Sequence, residues 1–315
     1  MTALQIVFMG TAELSCASLE ILARDSRFSV AAVITQPDKP KGRDLNLQPS
    51  PVKMLAEKLK LPVLQPAKAR DEKFISELRE SKPDLVVVVA YGQILPQVIL
   101  DLPKFGCLNV HTSLLPKFRG AAPIQWAIAT GETETGVTIM KMDAGLDTGP
   151  VVSQRRTPIL PADDSATLHD RLARLGAELL AQTIPDFVAG KIQPSPQPAV
   201  GVSHAPKIKK EDGRIDWNQP AGTIWNRLRA FTPWPGAFTF LTGEPKPHLL
   251  KIWKAEVVEK SGQAGAVLSA DKNGILIACG LNALRILELQ REGGKRLTAE
   301  QFLAGHPLKA GAKFD

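Results

Sequence analysis

Apolar residues follow two different rhythms along this chain. Over the first two-thirds, short runs that are apolar on both faces alternate with stretches of helical spacing. The runs lie at 5–9, 28–34, 61–64, 85–90, 107–110, 137–141 and 150–156. Strands without polar alternation are covered on both faces, as in a mainly parallel sheet between helices. Helices are predicted over 13–24, 50–59, 71–80, 120–129 and 165–184. The second has Ser50 as its N-cap and Pro51 at its first position, where a missing N–H costs nothing. The last carries Leu168, Leu172, Leu175, Leu179 and Leu180 at helical spacing.

The rhythm then breaks. Residues 191–206 hold Pro194, Pro196, Pro198 and Pro206 with almost no periodicity, which predicts an extended linker. Beyond it come a short helix near 223–230 and the turn-rich Phe231-Thr-Pro-Trp-Pro-Gly236. Five short strands follow at 237–241, 249–257, 265–269, 274–279 and 283–290, before a last helix capped by Thr298. Short strands with regular turn signals predict a small barrel of the oligonucleotide-binding type. The expected fold class is therefore α/β: a Rossmann-like, mostly parallel sheet domain over 1–190, a linker over 191–206, and an OB-like β-barrel domain over 207–315. The length of 315 residues favours two domains in any case.

Composition narrows the function classes. No apolar run approaches the roughly 18 residues that span a bilayer. The chain opens at once on a strand, so no signal peptide is expected. Cys16, Cys107 and Cys279 are odd in number and far apart, which fits neither a disulfide framework nor a metal site. A cytoplasmic protein without a metal is expected, and we read it as a monomer. The net charge of +7 is uneven: residues 207–315 hold 17 Lys+Arg against 11 Asp+Glu, so nearly all the excess lies there. A basic second domain suggests a polyanionic partner. After the first strand stands only Gly10, without Gly-x-Gly-x-x-Gly, and no Walker sequence occurs, which argues against NAD, FAD and NTP chemistry.

Three loops carry candidate chemistry. Asn109-Val-His-Thr-Ser-Leu-Leu-Pro-Lys-Phe-Arg-Gly120 leaves the end of a strand with Asn109 and His111 on one face. Ligands in open α/β sheets bind at strand carboxyl ends. A lone His there is more often structural, and Asn beside a turn is ordinary turn chemistry. What adds weight is Met142-Asp-Ala-Gly-Leu-Asp-Thr-Gly149, a second strand-end loop with Asp143 and Asp147. Asn, His and Asp brought together are an acid–base site in outline. The third loop, 35–49, is long for a connection that usually takes about 2–6 residues. It carries Lys39, Lys41 and Arg43, and reads either as a solvated loop or as an arm that orders on a phosphate-bearing partner.

Together these residues resemble the methionyl-tRNA formyltransferases over nearly the whole chain. Asn109-x-His111 with Ser113-Leu-Leu-Pro-Lys-Phe-Arg-Gly120, Thr135-Gly-Val-Thr138 and Asp147 is similar to the signature of enzymes that use 10-formyltetrahydrofolate. Glycinamide-ribonucleotide and amino-sugar-nucleotide formyltransferases share that signature. The tRNA family is favoured by Met142–Gly149, by the basic second domain, and by Thr35-Gln-Pro-Asp38 with Gly42-Arg43 and Pro49-Ser-Pro-Val-Lys53. One departure stands out. The family's loop after Gly42-Arg43 commonly carries further lysines, and here it reads Asp44-Leu-Asn-Leu-Gln48.

The resemblance implies transfer of a formyl group from 10-formyltetrahydrofolate to the α-amino group of methionylated initiator tRNA. It implies that Asn109 donates to the oxyanion, that His111 stabilises it and protonates the departing folate nitrogen, and that Asp147 holds His111 or a water and helps take the amine proton. It places folate near Tyr91, Ser113, Leu114, Leu115 and Pro116, and tRNA on Lys39, Lys41 and Arg43. Competing readings are the same chemistry on an amino-sugar nucleotide, a tRNA-binding protein with a decayed catalytic domain, and a hydrolase releasing formate from the folate.

Overall fold

The computed structural model describes residues 3–41, 46–242 and 248–315. The chain forms two compact units: Met1–Pro123 with Glu134–Pro158 and His169–Ala205, and Ile124–Thr133 with Ile159–Leu168 and Pro206–Asp315.

In chain order the elements are β1 (Leu4–Gly10), α1 (Leu14–Arg24), β2 (Phe28–Ile34), β3 (Lys39–Lys41), β4 (Asn46–Gln48), α2 (Pro51–Lys58), β5 (Val63–Leu64), α3 (Glu72–Glu80), β6 (Leu85–Val89), α4 (Gln97–Leu100), β7 (Cys107–His111), β8 (Arg119–Gly120), α5 (Pro123–Ala129), β9 (Glu134–Lys141), β10 (Val151–Pro158), α6 (Ser165–Val188) and β11 (His204–Ala205). Seven strands form one sheet in the order β10-β9-β7-β6-β1-β2-β5. The five from β7 to β5 are parallel. β9 is antiparallel to β7, and β10 to β9. The loop between β9 and β10 is too short for a parallel crossover, which needs a dozen residues or more.

The buried run Leu85-Val-Val-Val-Val89 lies at the centre of the sheet, and Val7, Met9, Ile34, Phe74, Leu78 and Tyr91 pack in one core cluster beside it. At α2 the Ser50 hydroxyl accepts the Lys53 N–H at 3.0 Å, as the sequence predicted, and also meets the Thr35 hydroxyl at 2.7 Å. α6 outruns its expected end at 184, because Pro185 lies inside it without ending it. Proline cannot donate to the carbonyl four residues back. That carbonyl, on Ala181, accepts instead from the Arg27 guanidinium at 3.3 Å. The arm at 35–49 contains a small antiparallel ribbon, β3 with β4, which the sequence did not suggest.

The second unit has a 3-10 turn at Lys210–Gly213, then α7 (Ala221–Phe231), β12 (Ala237–Leu241), β13 (His248–Val258), β14 (Val267–Asp271), β15 (Gly274–Ala278), β16 (Ala283–Arg291), β17 (Arg296–Thr298) and α8 (Ala299–Gly305). Its sheet is antiparallel, β12-β13-β16-β15-β14, with β17 on β16. The last residues bridge its two ends. Phe314 pairs with Leu241 at the end of β12, and Lys313 with Ala266 before β14. Phe240 and Asp315 exchange backbone hydrogen bonds at 3.1 and 2.8 Å, and the Phe314 N–H donates to the Gly265 carbonyl at 2.8 Å. The Phe314 ring is buried 6.1 Å from that of Trp217. A barrel closed this way leaves no free edge there.

Candidate active site

β7 delivers Asn109 and His111, two residues apart, to one face of the sheet. Asp147 reaches them from the second strand-end loop, as the sequence suggested, by a less direct path. β9 is antiparallel, so its carboxyl end, Lys141, lies beside Leu108. The loop after it folds back along β7. Gly149 makes this fold possible, since a Cβ there would lie 1.9 Å from the Lys141 carbonyl oxygen. The two carboxylates of this loop separate. Asp143 is exposed and accepts from the Gly145 N–H and Thr148 hydroxyl at 3.0 and 2.7 Å, which makes it a turn residue. Asp147 turns inward with a left-handed backbone, φ 53°.

The Asp147 carboxylate is the hub of the site. One oxygen accepts the Gly120 N–H at 2.8 Å and lies 3.6 Å from His111 Nδ1, and the other lies 3.4 Å from Asn109 Nδ2. His111 is buried, and its Nε2 lies 2.9 Å from the Phe118 carbonyl oxygen. A carbonyl only accepts, so Nε2 carries a proton, and Nδ1 faces Asp147. Gly120 comes within reach because β8 pairs with β11: it has φ 120°, and a Cβ there would meet the Ala205 carbonyl at 2.8 Å. The structure therefore brings Asn109, His111 and Asp147 together.

The other predicted residues fall in several places. Ser113 is fully buried and its hydroxyl donates to the Lys117 carbonyl at 2.6 Å, inside the loop. Leu115 is buried, Leu114 and Pro116 are half-buried, and the Leu115–Pro116 bond is cis. Tyr91 puts its side chain in the core, and burial pushes its phenol up to about 12. Its carbonyl accepts from the Thr11 hydroxyl and the Gln36 amide, both at 2.9 Å, which ties the ends of β1, β2 and β6. Lys39 donates to Gln36 Oε1. Arg43 and the side chain of Lys41 lie outside the described residues.

Three supporting residues stand outside the predicted site residues. The buried Thr138 hydroxyl accepts the Leu115 N–H at 3.1 Å and donates to the Ser113 carbonyl at 2.7 Å. Gln154 donates to the Leu115 carbonyl at 2.9 Å and to the Thr138 hydroxyl at 2.8 Å. Gln197, far along in the proline-rich stretch, donates to the backbone carbonyls of Asp147 and Gly149, each at 2.8 Å. Thr138 belongs to the motif at 135–138. Gln154 and Gln197 carry no local sequence signal.

Comparison with known proteins places this geometry. The formyl transferase family matches residues 4–184, and the formyl transferase C-terminal domain matches residues 207–307. The methionyl-tRNA formyltransferase of Citrifermentans bemidjiense is 50% identical over 311 residues, covering 99% of this chain and 96% of that one. That of Myxococcus xanthus is 51% identical over 309 residues, covering 98% and 97%. Among solved structures, the N-formyltransferase from Helicobacter canadensis, crystallised with folinic acid and dTDP-3-aminofucose, superposes with a TM-score of 0.64 at 20% identity, covering 90% of this chain and 99% of that one. That likeness shows a shared fold. Matched along both of its halves and half identical to such relatives over almost its full length, this chain belongs to the methionyl-tRNA formyltransferase family.

Proposed function

We propose that this enzyme moves the formyl group of 10-formyltetrahydrofolate to the α-amino group of methionine on initiator tRNA, producing N-formylmethionyl-tRNA for the start of translation in the cytoplasm. The observation that carries the catalytic assignment is the meeting of Asn109, His111 and the Gly120 N–H on one carboxylate, that of Asp147. An α-amino group titrates near ~8, so a useful neutral fraction exists at physiological pH. Its nitrogen attacks the formyl carbon. The Asn109 amide donates to the oxygen that becomes negative. The amine loses a proton to the Asp147–His111 pair, and the folate nitrogen gains one as its bond to the formyl carbon breaks. The proton count balances without a net change in the pair, and no covalent enzyme intermediate forms.

In this reading the folate lies along the loops at 91–96, 113–116 and 137–147, with Tyr91 contributing backbone and Ser113, Leu114, Leu115 and Pro116 shaping the wall. Ile94 and Leu146 are 88% and 66% exposed in these loops and offer apolar surface to a flat ring system. Residues 1–190 form the catalytic domain, 191–206 the connection, and 207–315 a tRNA-binding domain whose excess of cations faces phosphate. Lys39, Lys41 and Arg43 contact the tRNA. Arg43→Ala is expected to weaken use of tRNA, not of folate, and to lower the salt slope by about 1. The decisive assay offers 10-formyltetrahydrofolate with methionylated initiator tRNA, uncharged tRNA and a nucleotide amino-sugar as parallel acceptors. Product on the charged tRNA alone supports the reading; product on the amino-sugar alone overturns it.

A further inference from the structure

The stretch that the sequence presents as a plain connection runs across both catalytic loops. Ser195 forms an antiparallel bridge with Val151, with paired backbone bonds of 2.8 Å at the end of the Asp147 loop. The Ser203 hydroxyl accepts the Phe118 N–H at 2.9 Å, and its carbonyl accepts the Arg119 N–H at 2.9 Å. His204 and Ala205 pair with Arg119 and Gly120. Between these points stands Gln197. Its amide nitrogen spans the Asp147 and Gly149 carbonyls, and its oxygen accepts from Arg119 Nε and Nη2 at 3.1 and 2.7 Å. One side chain therefore ties the loop that ends in Arg119-Gly120 to the loop that carries Asp147.

We propose that Gln197 is a positioning residue for formyl transfer, holding Asp147 in register with His111 and Asn109. The inference rests on the catalytic reading of those three residues. Asp147 adopts a left-handed backbone, φ 53°, which Asp tolerates better than most residues but which is still uncommon outside glycine. The Gln197 amide donates to the carbonyl of that very residue and to that of Gly149 two positions on. The carboxylate lies 3.4 Å from Asn109 Nδ2, at the margin of hydrogen bonding, and 3.6 Å from His111 Nδ1, just beyond it, so a small rotation of the loop alters both contacts. Gln197 reaches Asp147 through its backbone carbonyl, and no hydrogen bond joins its side chain to those of Asn109 or His111 among the described residues.

The test is a double-mutant cycle on the full-length enzyme. Gln197→Ala and Gln197→Met, Asp147→Asn, and Gln197→Ala combined with Asp147→Asn are compared in steady-state kinetics, with circular dichroism and thermal melts. Loss of alignment without loss of chemistry predicts that kcat falls about tenfold to a hundredfold in both Gln197 variants, with KM for both substrates little changed. In the Asp147→Asn background, removing Gln197 should add no further loss, because it acts through the group already gone. Wild-type kcat in a folded Gln197→Ala, an additive loss in the double variant, or unfolding of both Gln197 variants would each overturn the inference. Wild-type turnover of Asp147→Asn would overturn the catalytic reading itself, and is seen separately.

Discussion

Asp147 in the first unit and Thr239 in the second each sit at the centre of a polar cluster, and the two clusters differ in how fully their hydrogen bonds are used. The buried Thr239 hydroxyl accepts the Trp217 Nε1–H at 2.9 Å and donates to the Asp315 carbonyl at 2.8 Å, so every group has a partner at normal distance. Asp147 has one such bond, from the Gly120 N–H. Its contacts to His111 and Asn109 are long. A satisfied cluster stabilises a fold and has nothing left to offer a substrate. A cluster with spare acceptors, held by backbone ties, can bind a substrate. The first network is half-buried and the second buried, and on the proposed reading the slack separates site from scaffold.

The strongest way to break this comparison is to remove a member of the loose cluster. Asp147→Asn and His111→Ala should each lower kcat/KM by about 10² to 10⁴, the range of a lost general acid–base group, with circular dichroism unchanged. A stability loss in place of a rate loss would mean that the first cluster is a scaffold too. In the tight cluster the effects should invert. Phe314→Ala takes a ring that is 5% exposed out of the barrel core and should cost about 3–5 kcal/mol in urea unfolding of the second unit. Thr239→Val keeps the shape but leaves the Trp217 N–H without its acceptor, and should cost about 1–3 kcal/mol in the same measurement.

The smallest expected effect concerns the thiols. Burial raises Cys16 and Cys279 to about 11 and Cys107 to about 12, with Glu13 and Glu20 adding to the rise at Cys16. An unfolded thiol titrates near ~8.5. Native enzyme at pH 8 should therefore react slowly with iodoacetamide and keep its activity, while urea-unfolded chain reacts at once. The sign of the linkage follows. A raised folded value contributes stability in full below the unfolded value, and that contribution is lost as pH rises from there through about 11 and 12. Rapid alkylation with loss of turnover would place a thiol in the reaction.

Most of the elements were legible because burial writes itself into local sequence. The run Leu85-Val-Val-Val-Val89 has to be a central strand, and Ser50-Pro51 has to open a helix. Asn109 and His111 were legible as a pair because alternate strand residues share a face. The antiparallel course of β9 was not legible, since Val137-Thr-Ile-Met-Lys141 is apolar in the same way whichever direction it runs. Nor was the end of α6, because nothing near Pro185 reveals that Arg27 will serve the Ala181 carbonyl.

By itself, then, the sequence determined the alternation of strands and helices, the change of rhythm after residue 190, and the placing of Asn109 and His111 on one strand face. These depend on near neighbours, through periodicity, capping and turn chemistry. Only the tertiary structure decided that the Asp147 loop folds back along β7, that Gln197 crosses from a proline-rich stretch to hold it, and that Phe314 closes the barrel beside Trp217. Each of these joins residues far apart in the chain: 38 positions separate Asn109 from Asp147 and 50 separate Asp147 from Gln197. Such a contact depends on where two elements pack, which no local pattern encodes.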